Sequence, residues 1–414
     1  MAEDPSSRQE KLQVEDRFRQ LRPEVLETLR RNNFADYAFK LAEEYRDFRS
    51  LASLCHRDQV YPPDQNPNAR RIQAYVDKFK EDFTTELYQW YIEHGELRTM
   101  FTQEQDGYMD SFFAEHPNPA ISWIHDLGRG RYGLASQALL SEAEHATELT
   151  TKHLMLSIGK LSHLAQLPEN SASIDQNVLD SFHDGLDFVS VHEALVEDLK
   201  SALAAVRARQ SLDMQAETIA RSKASNLTDR KGFTTIFKQL ARQLLQGKAL
   251  SAEDIADVLS LKDNTSHAED YTTALQILAR AENLPRARRQ SAFRNVWRRI
   301  FVHDDWDKLR QTADVTDADL NERLRNTALY AALQATGLKR HVREGYILFP
   351  SEALEIPERA EIALRWPGLS PDEVDAIERD YERDSKMLAD FALESIYQSL
   401  KQLVAEDEGW EDAS

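Results

Sequence analysis

Residues 69–95 read ARRIQAYVDKFKEDFTTELYQWYIEHG. Ile72, Tyr75, Val76, Phe79, Phe83, Leu87 and Trp90 recur at steps of three and four, which lines one side of an α-helix. The spacing predicts one long helix over 69–94, closed by Gly95 as a C-terminal cap. The same period appears upstream in Leu26, Leu29, Phe34, Tyr37, Ala38 and Leu41, and continues through Tyr45, Phe48, Leu51 and Leu54. Asn32-Asn33 separates a first helix from a second, and the three prolines of 61–68 mark a loop.

Composition points the same way. Glycine and proline number 13 each, or 26 of 414 residues, about 6%, against roughly 12% in average usage. Sheets, tight hairpins and nucleotide-binding loops draw on both residues, so their scarcity favours helices. The single cysteine, Cys55, allows neither an internal disulfide nor a cysteine-based zinc site and suits a reducing compartment. A net charge of −20 repels nucleic acid and anionic membranes at long range. There is no apolar run of membrane-spanning length, and the polar residues 1–22 are a solvated lead-in or the cut end of a longer protein rather than a secretory signal.

Further along, His116-Pro-Asn-Pro119 is a rigid break, and a module boundary is expected there. Ser141-Glu-Ala-Glu144 has the pattern of a capping box and predicts a helix running to about 167. Two helices are expected over 173–224, then one each over 234–246, from Ser251, over 270–282, 288–301, 306–313 and 317–337. Tyr346-Ile-Leu-Phe349 resembles a short strand or a buried connector. Ser370-Pro-Asp-Glu373 starts a last helix expected to run to about 404, before an acidic tail over 405–414. The whole is an all-α, irregular helical stack, or solenoid, with a compact C-terminal module. Its expected parts are a lead-in (1–22), a stack (23–118), the module (119–404) and the tail. No fixed-period repeat aligns.

Few motifs carry chemistry. Gly128-Arg-Gly-Arg-Tyr-Gly133 matches a dinucleotide fingerprint in letters but lacks the preceding buried strand, so it reads as a turn. The 12 histidines show no metal-like pairing, and neither H-E-x-x-H nor G-x-S-x-G occurs. No catalytic residue, cofactor, small-molecule substrate or metal site is therefore expected. Arg286, Arg288, Arg289, Arg294, Arg298 and Arg299, interleaved with Phe293, Trp297 and Phe301, make the most basic stretch. It reads as a nucleic-acid surface, a site for an acidic protein, or a solvated helix face neutralised by Asp304, Asp305 and Asp307.

The helix predicted over 144–167 is apolar on more than one side. Leu154, Ile158, Leu161 and Ala165 form one stripe, while Leu149, Leu156, Leu164 and Leu167 lie off it. Such a helix is either fully buried or buried on one side and bound on the other. Gly159, mid-helix at a cost of about 1 kcal/mol against alanine, hints at a close backbone neighbour.

Four segments resemble one family. Ala38-Phe-Lys-Leu-Ala-Glu-Glu-Tyr-Arg-Asp-Phe48 with Leu51-Ala-Ser-Leu-Cys55 is similar to the "alkLAekYrDF…L…lc" segment of the nucleoporin-133 family. Asp82-Phe-Thr-Thr-Glu-Leu-Tyr-Gln-Trp-Tyr-Ile-Glu-His-Gly95 resembles "FsdfLfrWYlekG", and Ser122-Trp-Ile-His125 resembles the core of "hLsWLHei". Lys152-His-Leu-Met-Leu-Ser-Ile-Gly-Lys-Leu-Ser-His-Leu-Ala165 resembles "kktLLglsKLaaLa". Order and spacing agree over roughly 25–170. The resemblance implies the C-terminal helical part of a scaffold subunit in the Y-shaped outer-ring complex of the nuclear pore, at the nuclear envelope. Membrane contact belongs to the family's propeller and is not implied here. The resemblance further implies tail-to-tail binding to the C-terminal helical domain of the nucleoporin-107 (nucleoporin-84 in yeast) type, supporting protein and mRNA transport. Carried over by position, the contact falls on Ser122, Trp123, Leu154, Ile158, Gly159, Leu161 and Ser162. Gly159 stands where the family pattern has a small polar residue. The alternatives are a nucleic-acid module using the arginine stretch, and a helical adaptor of vesicle coats.

Overall fold

The computed structural model describes residues 5–56, 66–102, 107–166, 175–204, 210–281, 284–310, 316–337 and 346–407. Among them there are helices and no strand. The chain divides by internal contacts into Met1–Leu139 and Leu140–Ser414. The first unit holds α1 (Pro5–Arg31), α2 (Ala35–Glu44), α3 (Phe48–His56), α4 (Ala69–Phe79), α5 (Glu81–Glu93), α6 (Leu97–Thr102), α7 (Tyr108–Glu115) and α8 (Pro119–Gly128). The dividing point falls inside α9 (Tyr132–His145). The second unit continues with α10 (Leu149–Ala165), α11 (Gln176–Ser201), α12 (Leu212–Lys223), α13 (Lys231–Leu245), α14 (Ala252–Leu261), α15 (Glu269–Arg280) and α16 (Arg286–His303). It ends with α17 (Trp306–Arg310), α18 (Asp317–Arg325), α19 (Ala328–Gly337), α20 (Pro350–Ala353), α21 (Arg359–Arg365), α22 (Pro371–Leu388) and α23 (Leu393–Asp407). The Pro117–Pro119 break lies between α7 and α8.

In the first unit most of the predicted apolar stripe is core, but Phe34, Tyr37 and Tyr45 are exposed, and Phe39 and Tyr91, outside that stripe, join the core. Phe39, Leu51, Tyr75, Phe83, Leu87, Trp90 and Tyr91 are all buried. Rings interlock there: Phe48 meets Phe79 at 5.0 Å, Tyr75 meets Phe83 at 5.4 Å, and His56 stacks on Trp90 at 4.6 Å. The single helix expected over 69–94 is two. Lys80, at φ 50 and ψ −126, interrupts it, because a lysine in that conformation cannot continue a right-handed helix. The stripe survives the break because Phe79 and Phe83 both pack on Phe48. Glycine adopts this backbone without the side-chain clash, so Lys80→Gly should raise stability by about 1 kcal/mol. A chemical denaturation midpoint that falls instead would contradict the strained geometry.

The second unit is built around α16. Phe293, Val296, Trp297, Ile300 and Phe301 are buried, and α14, α15, α19, α20 and α21 pack against that helix. Three other sequence expectations give way to contacts made far along the chain. Ser141 is inside α9 and caps nothing; the new helix begins after Glu148. Its first amide, Leu149 N, donates to Gly247 O at 2.9 Å, and Ala249 N donates to Thr147 O at 2.9 Å. Glu148 and Lys248 form an isolated antiparallel bridge. The run 317–337 is broken because Asp304 caps α19, accepting from Ala328 N at 2.8 Å and Leu329 N at 3.0 Å. The final run is likewise two helices, α22 and α23. Residues 346–349 are a connector, half-buried over 346–348 and exposed at Phe349, with Tyr346 O accepting from Trp297 Nε1 at 2.8 Å. Two caps were legible: Ser251 accepts from Asp254 N, and Ser370 with Glu373 forms the reciprocal box.

Gly232 marks the tightest crossing. A Cβ there would lie 2.5 Å from Ile377 N and 2.6 Å from Ile377 Cα, both backbone of α22. Gly232→Ala must push two helices apart, with a cost of about 3 kcal/mol or more. A thermal melt unchanged from the parent chain would show that the crossing is looser than this.

Two buried histidines set a pH dependence. Burial pushes both His56 and His192 down to about 4. The unfolded chain takes up these protons first, so stability is full above about 6.5 and is lost as pH falls towards 4. Asp304 acts in the opposite sense: burial raises it to about 6, and its protonation favours the folded state. Going from pH 7 to pH 5 should cost about 2 kcal/mol per histidine, with about 1 kcal/mol returned by Asp304. Urea midpoints at the two pH values, for the parent and for His192→Leu, measure this; the variant should lose less on acidification.

Candidate protein-docking surface

Helix α10 carries two apolar faces. At about 100° per residue, Leu149, Leu156 and His163 fall on one side. All three are buried, and a small separate core joins Leu149 and Leu156 to Phe182 and Val189 of α11. The contact is close at Gly185 of α11, where an added Cβ would sit 3.0 and 3.1 Å from the Leu156 methyls. Lys152 lies over the Phe188 ring at 5.4 Å, its ammonium pKa lowered by burial, and His153 meets Glu193 at 2.8 Å. These contacts fix the rotation of α10 about its axis.

The opposite side holds Leu154, Ile158, Leu161 and Ala165, within about 60° of one another. Leu154 is 60% exposed and Leu161 67% exposed, while Ile158 is half-buried. The predicted stripe is therefore an outward face and not a second core contact. Leu164, which the sequence placed off the stripe, is also exposed at its edge, and Leu167 lies outside the described residues. Gly159 and Ser162 are buried; Ser162 Oγ donates to Ile158 O at 2.7 Å. Helix α10 has no aspartate or glutamate in its 17 residues, in a chain with 71 acids. An apolar partner can approach this face without meeting the negative charge that dominates elsewhere.

Ser122 and Trp123 sit on α8 in the first unit. Both are half-buried, and Trp123 Nε1 donates to Ala120 O at 3.0 Å. A buried neighbour anchors this helix. His125 meets Asp110 at 2.9 Å, and Arg131 reaches both Asp110 (2.6 Å) and Asp126 (2.8 Å). Arg131 and His125 hold the Asp110 carboxyl below the usual range.

Much of the arginine stretch is used inside the fold, although Arg286 is exposed. Arg298 and Arg299 are buried. Arg298 donates to Tyr381 O at 3.0 Å and Glu355 O at 2.8 Å, and Arg299 donates to Asp257 at 2.6 Å and Ser260 Oγ at 2.7 Å. Arg294 pairs with Glu361 at 3.2 Å, and Arg288 pairs with the fully buried Glu253. Of the acids read as able to neutralise the stretch locally, Asp304, Asp305 and Asp307, the first two are engaged elsewhere. Asp304 caps α19, and Asp305 pairs with Lys308 at 3.1 Å. This buried ionic cluster is not visible in the local sequence, because its carboxylates come from α14 and α21, between 35 (Glu253 to Arg288) and 67 (Arg294 to Glu361) positions from their arginines. Among the described residues there is no group of three or more His, Cys, Asp or Glu side chains placed to hold a metal ion. No described helix is long and apolar enough to cross a membrane.

Comparison with known proteins adds a family. Residues 3–405 match the family described as non-repetitive/WGA-negative nucleoporin C-terminal. The chain is 26% identical over 324 residues to nucleoporin nup132 of Schizosaccharomyces pombe, covering 75% of this chain and 27% of that protein. It is 28% identical over 201 residues to the nuclear pore complex protein Nup133 of Homo sapiens, covering 47% of this chain and 16% of that protein. Against nucleoporin NUP133 of Chaetomium thermophilum it is 26% identical over 288 residues, 64% of this chain and 20% of that protein. The chain thus spans about a quarter or less of the length of these relatives.

Proposed function

The chain belongs to the non-repetitive, WGA-negative nucleoporin C-terminal family, and on that basis we propose that it is a non-enzymatic scaffold subunit of the outer ring of the nuclear pore. Its place is the nuclear pore complex, in the nuclear envelope. Its partners lie within that complex. In our reading the specific partner is the C-terminal helical domain of the neighbouring nucleoporin-107/nucleoporin-84-type stalk subunit. Holding that subunit would support protein and mRNA transport by keeping the ring together.

The observation that carries this reading is the outward stripe of Leu154, Ile158 and Leu161 on α10. Large apolar side chains aligned on one exposed helix face are a feature of protein-binding surfaces. Gly159 and Ser162 complete the proposed contact on α10, and Ser122 and Trp123 on α8 are proposed as partner-contacting residues in their own unit. The buried Gly159 and Ser162 would shape the ground beneath the stripe. Titrating the chain with the purified C-terminal domain of the stalk subunit tests the proposal. One-to-one binding that is largely insensitive to salt supports an apolar contact. No binding at any concentration reached, or binding lost steeply with added salt, contradicts it.

A further inference from the structure

We propose that the outward face of α1 pairs with α1 of a second copy of this chain, antiparallel, in a two-fold dimer. Val14, Phe18, Leu21 and Val25 follow one another at steps of four, three and four, the alternation of a coiled-coil seam. Each is solvent-exposed: Val14 by 67%, Phe18 by 46%, Leu21 by 50% and Val25 by 53%. The stripe is distinct from the side of α1 that enters the unit's own core, where Leu26 is buried. Pro23 lies on the side of the helix away from the seam, at about 100° per residue. The patch widens where Phe18 meets the exposed Tyr45 at 5.5 Å, at the end of α2.

Charge selects both the occupant and its direction. Arg17 and Glu24 are exposed and flank the seam along one edge. Antiparallel pairing sets Val14 against Val25 of the second copy and Phe18 against Leu21 of the second copy. The two-fold axis then brings each Arg17 to a Glu24, twice per dimer. Parallel pairing in register instead brings Arg17 to Arg22 of the second copy. Arg22 already lies 3.7 Å from Asp47 of its own chain. Only the antiparallel arrangement is complementary, and it is complementary to itself, as a two-fold interface must be. The seam is two heptads long, so the dimer is weak and concentration-dependent. It rests on α1 and is independent of the docking proposed for α10.

Sedimentation velocity of the full chain, from about 5 to about 500 µM, reads the outcome directly. The mass should rise from one copy to two. Leu21→Glu should stay at one copy throughout. Arg17→Glu alone and Glu24→Arg alone should each weaken association at least ~10-fold, and the double reversal should restore it to within about threefold. Circular dichroism melts matching the parent exclude misfolding, since all three residues are exposed. A single copy at every concentration overturns the proposal. So does a dimer that survives Leu21→Glu, or a double reversal no stronger than the single variants.

Discussion

Asp257→Ala should remove a large share of the stability of the second unit. The carboxylate is buried, and it accepts from Arg299 at 2.6 Å, Arg365 at 2.5 Å and Trp366 Nε1 at 3.0 Å. Arg365 is itself buried and retains Asp254 at 2.9 Å and Glu253 at 3.8 Å, while Arg299 retains only the Ser260 hydroxyl among these contacts. Removing Asp257 leaves a guanidinium in the core without a counter-charge and an indole N–H without an acceptor. Breaking one side of such a buried pair costs about 3–5 kcal/mol, against a total of roughly 5–15 kcal/mol for a typical domain. Denaturant unfolding followed by circular dichroism measures it. Arg359→Ala, which removes the exposed pairs with Asp375 and Glu378, is the control and should cost under about 1 kcal/mol. Equal effects of the two variants would mean that the buried cluster is only incidental to folding.

Leu161→Glu should cost most of the affinity for the stalk partner and almost none of the stability. Interfaces concentrate their energy in a few apolar anchors near the centre of the patch. Leu161 is the most exposed leucine of the α10 stripe, so a charge there is solvated in the free chain and desolvated only on docking. A loss of about 2–4 kcal/mol, or roughly 30- to 1,000-fold in dissociation constant, is expected. Ile158→Glu should weaken binding too, but Ile158 is half-buried, so part of its cost should appear as lost stability. Calorimetric titration paired with thermal melts separates the two effects. A Leu161→Glu chain that melts as the parent does and binds as tightly moves the interface off this stripe.

Helix existence was legible wherever three-and-four spacing persisted, as at Tyr75, Phe83 and Trp90. It was legible at starts where the cap is local, as at Ser251 and Ser370. What was not legible was set by partners distant in the chain. The start of α10 is fixed by Gly247 and the start of α19 by Asp304. The arginines of α16 read as a surface because each sits among polar neighbours in sequence, yet folding brings Asp257, Glu253 and Glu361 to them. On α10 the spacing of leucines marks two apolar faces but not which of them points outward. Gly185, which admits Leu156, decides it.

On the proposed docking, the Leu154–Leu161 side of α10 is covered when the partner binds. A reporter thiol at Leu154→Cys measures this with little background, because the native Cys55 is buried and its thiol pKa is pushed up to about 12 by that burial. The alkylation rate of the reporter is followed with and without saturating C-terminal domain of the stalk subunit. Labelling should be at least ~10-fold slower in the complex, the signature of a residue taken out of solvent. An unchanged rate, with binding confirmed in the same sample, would contradict it.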